Sequence, residues 1–207
     1  MLVITLWKSQ LRKRLVIKKM AKLYFKYGVM GSSKTAQALI TKFNYEENGD
    51  DVLFIKPATD TRDGETIVKS RIGLSGEAMI LKPEDELAIK DIAGYSVIIC
   101  DESQFFTPVQ IERFKNIAVF CNIPVICYGL LTDFQTNLFP GSKRLVELSD
   151  SLQEIKMICA CGRKATVNAR IIDYRIVREG EQVMLGGNES YKAMCYECWA
   201  KECGFNG

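Results

Sequence analysis

The sequence predicts an α/β fold: a parallel sheet interleaved with helices, followed by a small β module that carries cysteines. Short apolar runs recur through the first two-thirds of the chain without the polar alternation of a half-exposed strand, as strands covered on both faces do. Helical patterns, several opened by a proline, fall between those runs. After about Met157 the pattern changes to alternating β-like stretches bracketed by two close pairs of cysteines.

The elements follow in order. Residues 1–19 hold Lys8, Arg12, Lys13, Arg14, Lys18 and Lys19 and no acid. The whole chain carries +3, so this segment's +6 leaves −3 on residues 20–207, against a basic nucleic-acid surface. Its short apolar piece precedes the charges, the reverse of a secretion signal, and is far below the ~20 residues of a bilayer span. A weak membrane-surface helix is the alternative. The expectation is a disordered extension, or a true start at Met20 directly before the first strand. Lys22–Tyr27 reads as that strand, Ser32 to about Asn48 as a helix, and Val52–Ile55 as a buried strand stopped by Pro57. Pro83 is expected to open a short acidic helix through about Ile92. Val97–Cys100 is a second buried strand. Pro108 opens a helix whose apolar positions Ile111, Phe114, Ile117, Ala118 and Cys121 recur at helical steps. Val125–Cys127 is the next strand. Residues 20–156 therefore form the main domain and 157–207 the small module, with strands expected at Ala165–Ile171 and Glu181–Leu185. The 207 residues suit one domain of ordinary size plus such an appendage.

Chemistry concentrates after the first strand. Gly28-Val29-Met30-Gly31-Ser32-Ser33-Lys34-Thr35 matches the phosphate-binding pattern G-x-x-x-x-G-K-[ST], with Ser33 in place of the second glycine. Such a loop turns consecutive backbone N–H groups onto phosphate oxygens at a helix N-terminus. Lys34 would add a point charge near the transferred phosphoryl group, and Thr35 a hydroxyl for Mg²⁺. Ser33 is expected in the helical region, with Gly31 taking the left-handed turn. A chance glycine-rich turn is the competing reading of the loop alone. Its partner is Asp101-Glu102, at the end of the apolar run Val97–Cys100, where a nucleotide site places a carboxylate that reaches Mg²⁺ directly or through water. The competing reading is two solvated acids. The chain has no histidine, so Ser–His, Cys–His and His-metal mechanisms are excluded, and Glu102 is the best-placed general base. Asp60-Thr61-Arg62 follows the second strand at the same sheet edge. There Arg62 can stabilise charge on a transferred phosphoryl group, unless the triplet is a surface turn. These features make the main domain a P-loop nucleotide-binding unit of RecA-like architecture, handling a nucleoside triphosphate with Mg²⁺.

The cysteines divide by context. Cys100, Cys121 and Cys127 lie in apolar segments and read as buried small hydrophobes. Cys159, Cys161, Cys195 and Cys198 form two close pairs around a β-rich stretch, the pattern of a ribbon holding structural Zn²⁺, with Cys203 spare. The first pair has one intervening residue where two are usual. Unliganded thiols remain an alternative, and disulfides are disfavoured without a secretion signal.

The set from Gly28 to Thr35, Asp60-Thr61-Arg62, Asp101-Glu102-Ser103-Gln104-Phe105-Phe106, Tyr128-Gly129-Leu130 through Thr132-Asp133-Phe134, and the late cysteine pairs resembles the thymidine kinases. More narrowly it resembles their small zinc-containing (type II), bacterial-like members, over about residues 22–203. The resemblance implies transfer of the ATP γ-phosphate to the 5′-hydroxyl of thymidine, with deoxyuridine a possible substrate, in cytoplasmic nucleotide salvage. It also implies a homotetramer, feedback inhibition by dTTP, and neither nucleic-acid nor membrane partners. By position, Glu102 falls on the family's proton acceptor, and Asp101 with Thr35 on its magnesium shell. Asp60, Ser103 and Gln104, with Asp101 and Glu102, fall among the substrate-binding residues. Met30, Phe105, Phe134 and Tyr191 fall around the nucleoside. Gln182-Val183-Met184-Leu185-Gly186 matches the "lasso" that closes over thymine through largely backbone contacts, and the four paired cysteines match the zinc ligands. Two positions depart from the pattern: Ser33, and Leu131 where bacterial relatives commonly carry arginine. Two rival readings remain, a P-loop ATPase in which Glu102 activates water and an ATP-regulated zinc-ribbon nucleic-acid-binding protein. The aromatic residues Phe105, Phe106 and Phe134 favour a pocket for a flat base over the first, and the negative net charge of residues 20–207 disfavours the second.

Overall fold

The computed structural model describes residues 20–59, 66–183 and 190–205. Its centre is a six-stranded parallel sheet. In chain order its strands are β1 (Leu23–Tyr27), β2 (Val52–Pro57), β5 (Met79–Leu81), β6 (Val97–Cys100), β7 (Val125–Gly129) and β8 (Ser151–Glu154), and in space the order is β5-β2-β6-β7-β1-β8. An antiparallel hairpin of β3 (Ile67–Lys69) and β4 (Ser75–Glu77) stands beside it. The helices are α1 (Lys34–Glu47), α2 (Ile89–Ile92), α3 (Pro108–Asn116) and α4 (Pro140–Leu148). A three-residue 3₁₀ turn, Ser103–Phe105, follows β6, and a π-helical turn, Ile117–Cys121, follows α3.

The apolar runs work as parallel strands because both faces of the sheet are covered. Alternate side chains point to opposite faces. Leu23 and Phe25, Leu53 and Ile55, Ile98 and Cys100, and Val125 and Cys127 pack with Ile111, Phe114 and Leu145 of α3 and α4. Phe54, Val97, Ile99, Ile126 and Tyr128 face the other way, onto Ala38 and Leu39 of α1. Each such aliphatic side chain contributes about 1.5–3 kcal/mol when fully buried. This arrangement bears out the parallel α/β reading, and Cys100 and Cys127 are buried as small core hydrophobes.

The expected helix from Pro83 is the main correction. Asp85 instead closes a turn, its carboxylate accepting from Lys82 N at 2.8 Å while its amide donates to Lys82 O. Gln110 Nε2 of α3 donates to the Lys82 carbonyl at 2.7 Å, and Arg113 Nε to Leu87 O at 2.8 Å. These bonds hold the segment extended along α3, so helix is confined to α2. By contrast α3 starts as expected: Pro108 occupies its first turn, and Thr107 with Gln110 forms a reciprocal capping box.

The small module is a three-stranded antiparallel sheet, β10-β9-β11, of β9 (Val167–Ile172), β10 (Arg175–Val177) and β11 (Tyr191–Met194), followed by α5 (Tyr196–Glu202). The strand expected at Glu181–Leu185 is absent from residues 181–183, and Met184, Leu185 and Gly186 lie outside the described residues. The second strand forms instead at β10, paired to β9 across a turn in which Asp173 and Tyr174 both have positive φ, 48° and 63°. The module's core joins Val167, Ala169, Met194 and Trp199 to Val29 of the phosphate loop. Among the described residues no helix is long and apolar enough to cross a membrane.

Candidate active site

The loop after β1 turns into α1 at Lys34. Gly28 is required there by close approach, since a Cβ would lie 2.5 Å from both the Ile155 carbonyl and Ser32 Oγ. Gly31 is left-handed at φ 78°, and Ser33 is left-handed as well, at φ 61° and ψ 21°. The expectation of a helical residue 33 is therefore corrected. The helix begins one residue later, and position 33 is an N-cap that needs the conformation glycine supplies without cost. Its hydroxyl accepts a 3.2 Å bond from Gln37 Nε2, its one side-chain partner among the described residues. Ser32 and Lys34 are buried, and Lys34 Nζ lies over the loop, donating to Val29 O at 2.8 Å. The Met30 amide does not point into open space but donates to Asn168 Oδ1 on β9 at 2.7 Å. Asn168 Nδ2 donates in turn to Thr132 O at 2.8 Å, so one buried side chain ties the phosphate loop to the segment after β7.

Beside the loop, β6 delivers Asp101, whose amide donates to Ile55 O at 3.0 Å and which is 2% exposed. Burial first, and then the neighbouring Glu102 carboxylate, push its pKa from 3.8 up to about 7, against the opposing pull of the Thr35 hydroxyl and Lys34. Glu102 follows with φ 46°, a left-handed non-glycine residue at a strand end, and its carboxylate accepts from Gln104 Nε2 at 2.6 Å. Gln104 is itself buried, its Oε1 accepting from Leu130 N at 2.9 Å. Strain of this kind gathers at functional sites. Ser103 is fully buried under Gly129, and its hydroxyl has no hydrogen-bond partner among the described residues.

Met30, Gly31, Ser33, Lys34, Thr35, Asp101 and Glu102 line one cavity of about 440 Å³. The loop and the acid pair thus meet as the sequence led one to expect. Across the cavity stands a wall that the sequence did not disclose: Lys69, Ser70 and Arg71, at the end of β3 and in the turn that follows. Arg71 Nη1 would lie 3.7 Å from a Cβ at Gly31. Neither β3 nor β4 has an apolar run, so the only available signal was a Lys-x-Arg spacing before a glycine turn. The thiol-free oxygen set of Thr35, Asp101 and Glu102 suits a hard divalent cation such as Mg²⁺, and the Asp101 carboxyl already hydrogen-bonds the Thr35 hydroxyl.

Other expected residues gather elsewhere. Phe134 is 1% exposed and stacks against the Arg170 guanidinium of β9, 3.6 Å from its ring centroid. Tyr191 accepts from Arg170 through its hydroxyl, and Gln182 Nε2 donates to Asp133 Oδ2 at 2.8 Å. Phe105 packs edge-on to Phe139, while Val183 is exposed. These residues do not line the cavity of the phosphate loop. Asp60 and Arg62 lie outside the described residues, as do Met184, Leu185 and Gly186. Leu131 packs against the main core.

The Sγ atoms of Cys159, Cys161, Cys195 and Cys198 all lie within 4.8 Å of one another, with Cys161 and Cys195 3.6 Å apart. Four thiolates about 2.3 Å from a tetrahedral ion stand about 3.8 Å apart, so the cluster fits Zn²⁺. The backbone builds both halves. Gly162 at φ 85° closes a turn onto Cys159 O, and Cys195 caps α5 so that Cys198 faces back to it. Amides of Cys161 and Cys195 pull the Cys159 thiol down to about 6, whereas hydrogen bonding to Cys195 pushes Cys198 up to about 12. A cation bound there would hold the four sulfurs as thiolates. Cys203 stays outside the cluster, in the module's apolar core. No two of the eight cysteines are joined.

Comparison with known proteins agrees with this geometry. The family model for thymidine kinase matches residues 21–199. The thymidine kinase of Legionella pneumophila strain Lens is 45% identical over 183 residues, covering 85% of this chain and 88% of that protein. That of Ruegeria pomeroyi is 40% identical over 194 residues, 91% of this chain and 98% of the relative. That of Streptococcus pyogenes serotype M3 is 44% identical over 181 residues, 85% and 95% respectively.

Proposed function

The chain belongs to the thymidine kinase family, and on that premise we propose how its residues carry out the transfer of the ATP γ-phosphate to the 5′-hydroxyl of thymidine. It is an ATP-dependent thymidine kinase, a phosphotransferase. The observation that carries the assignment of roles is the single cavity shared by the phosphate loop and the Asp101–Glu102 pair.

The triphosphate lies along the backbone of residues 28–35, with Lys34 swinging from the Val29 carbonyl to the phosphates. Asp101 and Thr35 would hold Mg²⁺, which would supply positive charge against the triphosphate. Arg71 approaches the phosphates from the hairpin side, and Arg62 joins it in balancing charge on the transferred group. Glu102 accepts the proton of the 5′-hydroxyl, its carboxylate oriented by Gln104. The nucleoside is held among Met30, Phe105, Phe134 and Tyr191, with Asp60, Ser103 and Gln182–Gly186 completing the pocket. Cys159, Cys161, Cys195 and Cys198 would hold a structural Zn²⁺, which would fix the module that carries Tyr191. The end product dTTP inhibits the enzyme by feedback. The eight free cysteines accord with a reducing, cytoplasmic setting, and the subunits assemble as a tetramer. The negative charge of residues 20–207 accords with a protein that has no nucleic-acid partner.

ADP release measured against a panel of nucleosides tests this reading. Release that depends on thymidine, with deoxyuridine the nearest competitor, supports it. Equal release without any nucleoside overturns it in favour of an ATPase. Tight, steeply salt-dependent DNA binding overturns it in favour of a nucleic-acid-binding protein.

A further inference from the structure

We propose that Arg170 is a positioning residue for thymidine, acting through Phe134 and Tyr191 while remaining out of reach of the substrate itself. The inference rests on the thymidine kinase reading above and adds to it a residue that neither the motifs nor the resemblance singled out.

Arg170 lies on β9 with 2% of its surface exposed, and among the described residues it meets no carboxylate. Among the described residues its charge is met by neutral groups. Nε and Nη2 donate to the Tyr191 hydroxyl at 2.9 and 2.7 Å, Nη1 to Glu181 O at 2.7 Å, and Nη2 to Gln182 O at 3.1 Å. One face of the guanidinium rests on the Phe134 ring. An apolar side chain would fill this space without the cost of dehydrating a cation. The fork therefore answers a requirement of geometry more than of packing.

That requirement can be read from the partners. A tyrosine hydroxyl can accept and donate. With two guanidinium N–H groups on its oxygen, Tyr191 is left only its proton to offer, so Arg170 makes it an obligate donor toward an acceptor oxygen of the nucleoside. The same side chain fixes the Phe134 ring and the carbonyls of Glu181 and Gln182, so that with Tyr191 it joins three stretches separated in sequence. Asp133 holds Gln182 from the other side. Asn168, two residues earlier on the same strand, binds the Met30 amide and the Thr132 carbonyl. The nucleoside wall is thus in register with the phosphate loop, yet Arg170 touches only the nucleoside side. Its loss should weaken thymidine and spare ATP.

Steady-state kinetics of the zinc-loaded full chain, for wild type, Arg170→Lys, Arg170→Met and Tyr191→Phe, test the proposal. Arg170→Met should raise the KM for thymidine by about 10- to 100-fold, leaving the KM for ATP within about twofold and the zinc content unchanged. Arg170→Lys should recover part of that loss, and adding Tyr191→Phe to Arg170→Met should cost little more. A thymidine KM within about twofold of wild type in Arg170→Lys and Arg170→Met overturns the proposal. So does a parallel rise of both KM values with loss of zinc, which marks a merely structural role. If Arg170→Met does not fold, Arg170→Lys decides alone: an intermediate rise confined to thymidine supports the proposal, and no rise overturns it. A wild-type chain that fails to phosphorylate thymidine overturns the parent reading instead, so the two failures are distinct.

Discussion

Ser33 and Glu102 both carry a β-carbon in the left-handed region, at φ 61° and 46°, where each costs about 1–2 kcal/mol. The two differ in what they return. In the proposed mechanism Glu102 gives the reaction its carboxylate. The Ser33 hydroxyl reaches Gln37, its one side-chain partner among the described residues. Ser33→Gly should therefore stabilise the protein by about 0.5–1 kcal/mol, the relieved strain less the added chain entropy of glycine. It should also lower the KM for ATP. Thermal denaturation checks the first point, and a loss of melting temperature would contradict it. Asp101 supplies a pH test. Its pKa rises from 3.8 to about 7 on folding, so across that window the folded protein keeps a proton that the unfolded chain has released. Stability from this group is greatest at the acid end and declines as pH rises through about 7. Asp101→Asn should flatten that part of the melting-temperature profile. Binding of Mg²⁺-ATP, which needs the carboxylate, should tighten over the same rise in the wild type and lose its pH dependence in the variant.

At the scale of elements, the cysteine module is packed onto the phosphate loop. Its core reaches Val29 of the phosphate loop, and its β9 holds both Asn168 and Arg170. Cys198→Ser should release zinc and destabilise the protein by about 3 kcal/mol or more. Thymidine KM should rise more than ATP KM, as followed by metal analysis and kinetics. Full zinc retention with unchanged kinetics would speak against the four-cysteine site. Which elements the sequence disclosed has a physical explanation. The run Val97–Cys100 ending in Asp101-Glu102 was legible because a strand covered on both faces must be apolar throughout. The cysteine pairs were legible because thiolate coordination needs that spacing. Pro83–Ile92 misled because its helical pattern is outweighed by bonds from Gln110 and Arg113, which no local pattern records. The hairpin with Lys69 and Arg71 has strands too short and too polar to announce themselves. Arg170 in an alternating strand reads as solvent-facing, and only the fold shows it buried.

For the whole molecule, one sheet and one small module share the labour. The edge of the sheet gathers the phosphate loop, Asp101 and Glu102 around a cavity of about 440 Å³, and the module brings Tyr191 to Phe134 through Arg170. Light scattering on the purified chain should return the mass of a tetramer, and a monomer at micromolar concentration would overturn that part of the proposal. The central claim is that Glu102 takes the proton from the 5′-hydroxyl of thymidine. Its most direct test is thymidine-dependent ADP release by Glu102→Gln beside ATP binding by the same protein. The account predicts a loss of kcat by roughly 10²–10⁴ with ATP affinity retained. Turnover equal to wild type in Glu102→Gln would contradict it.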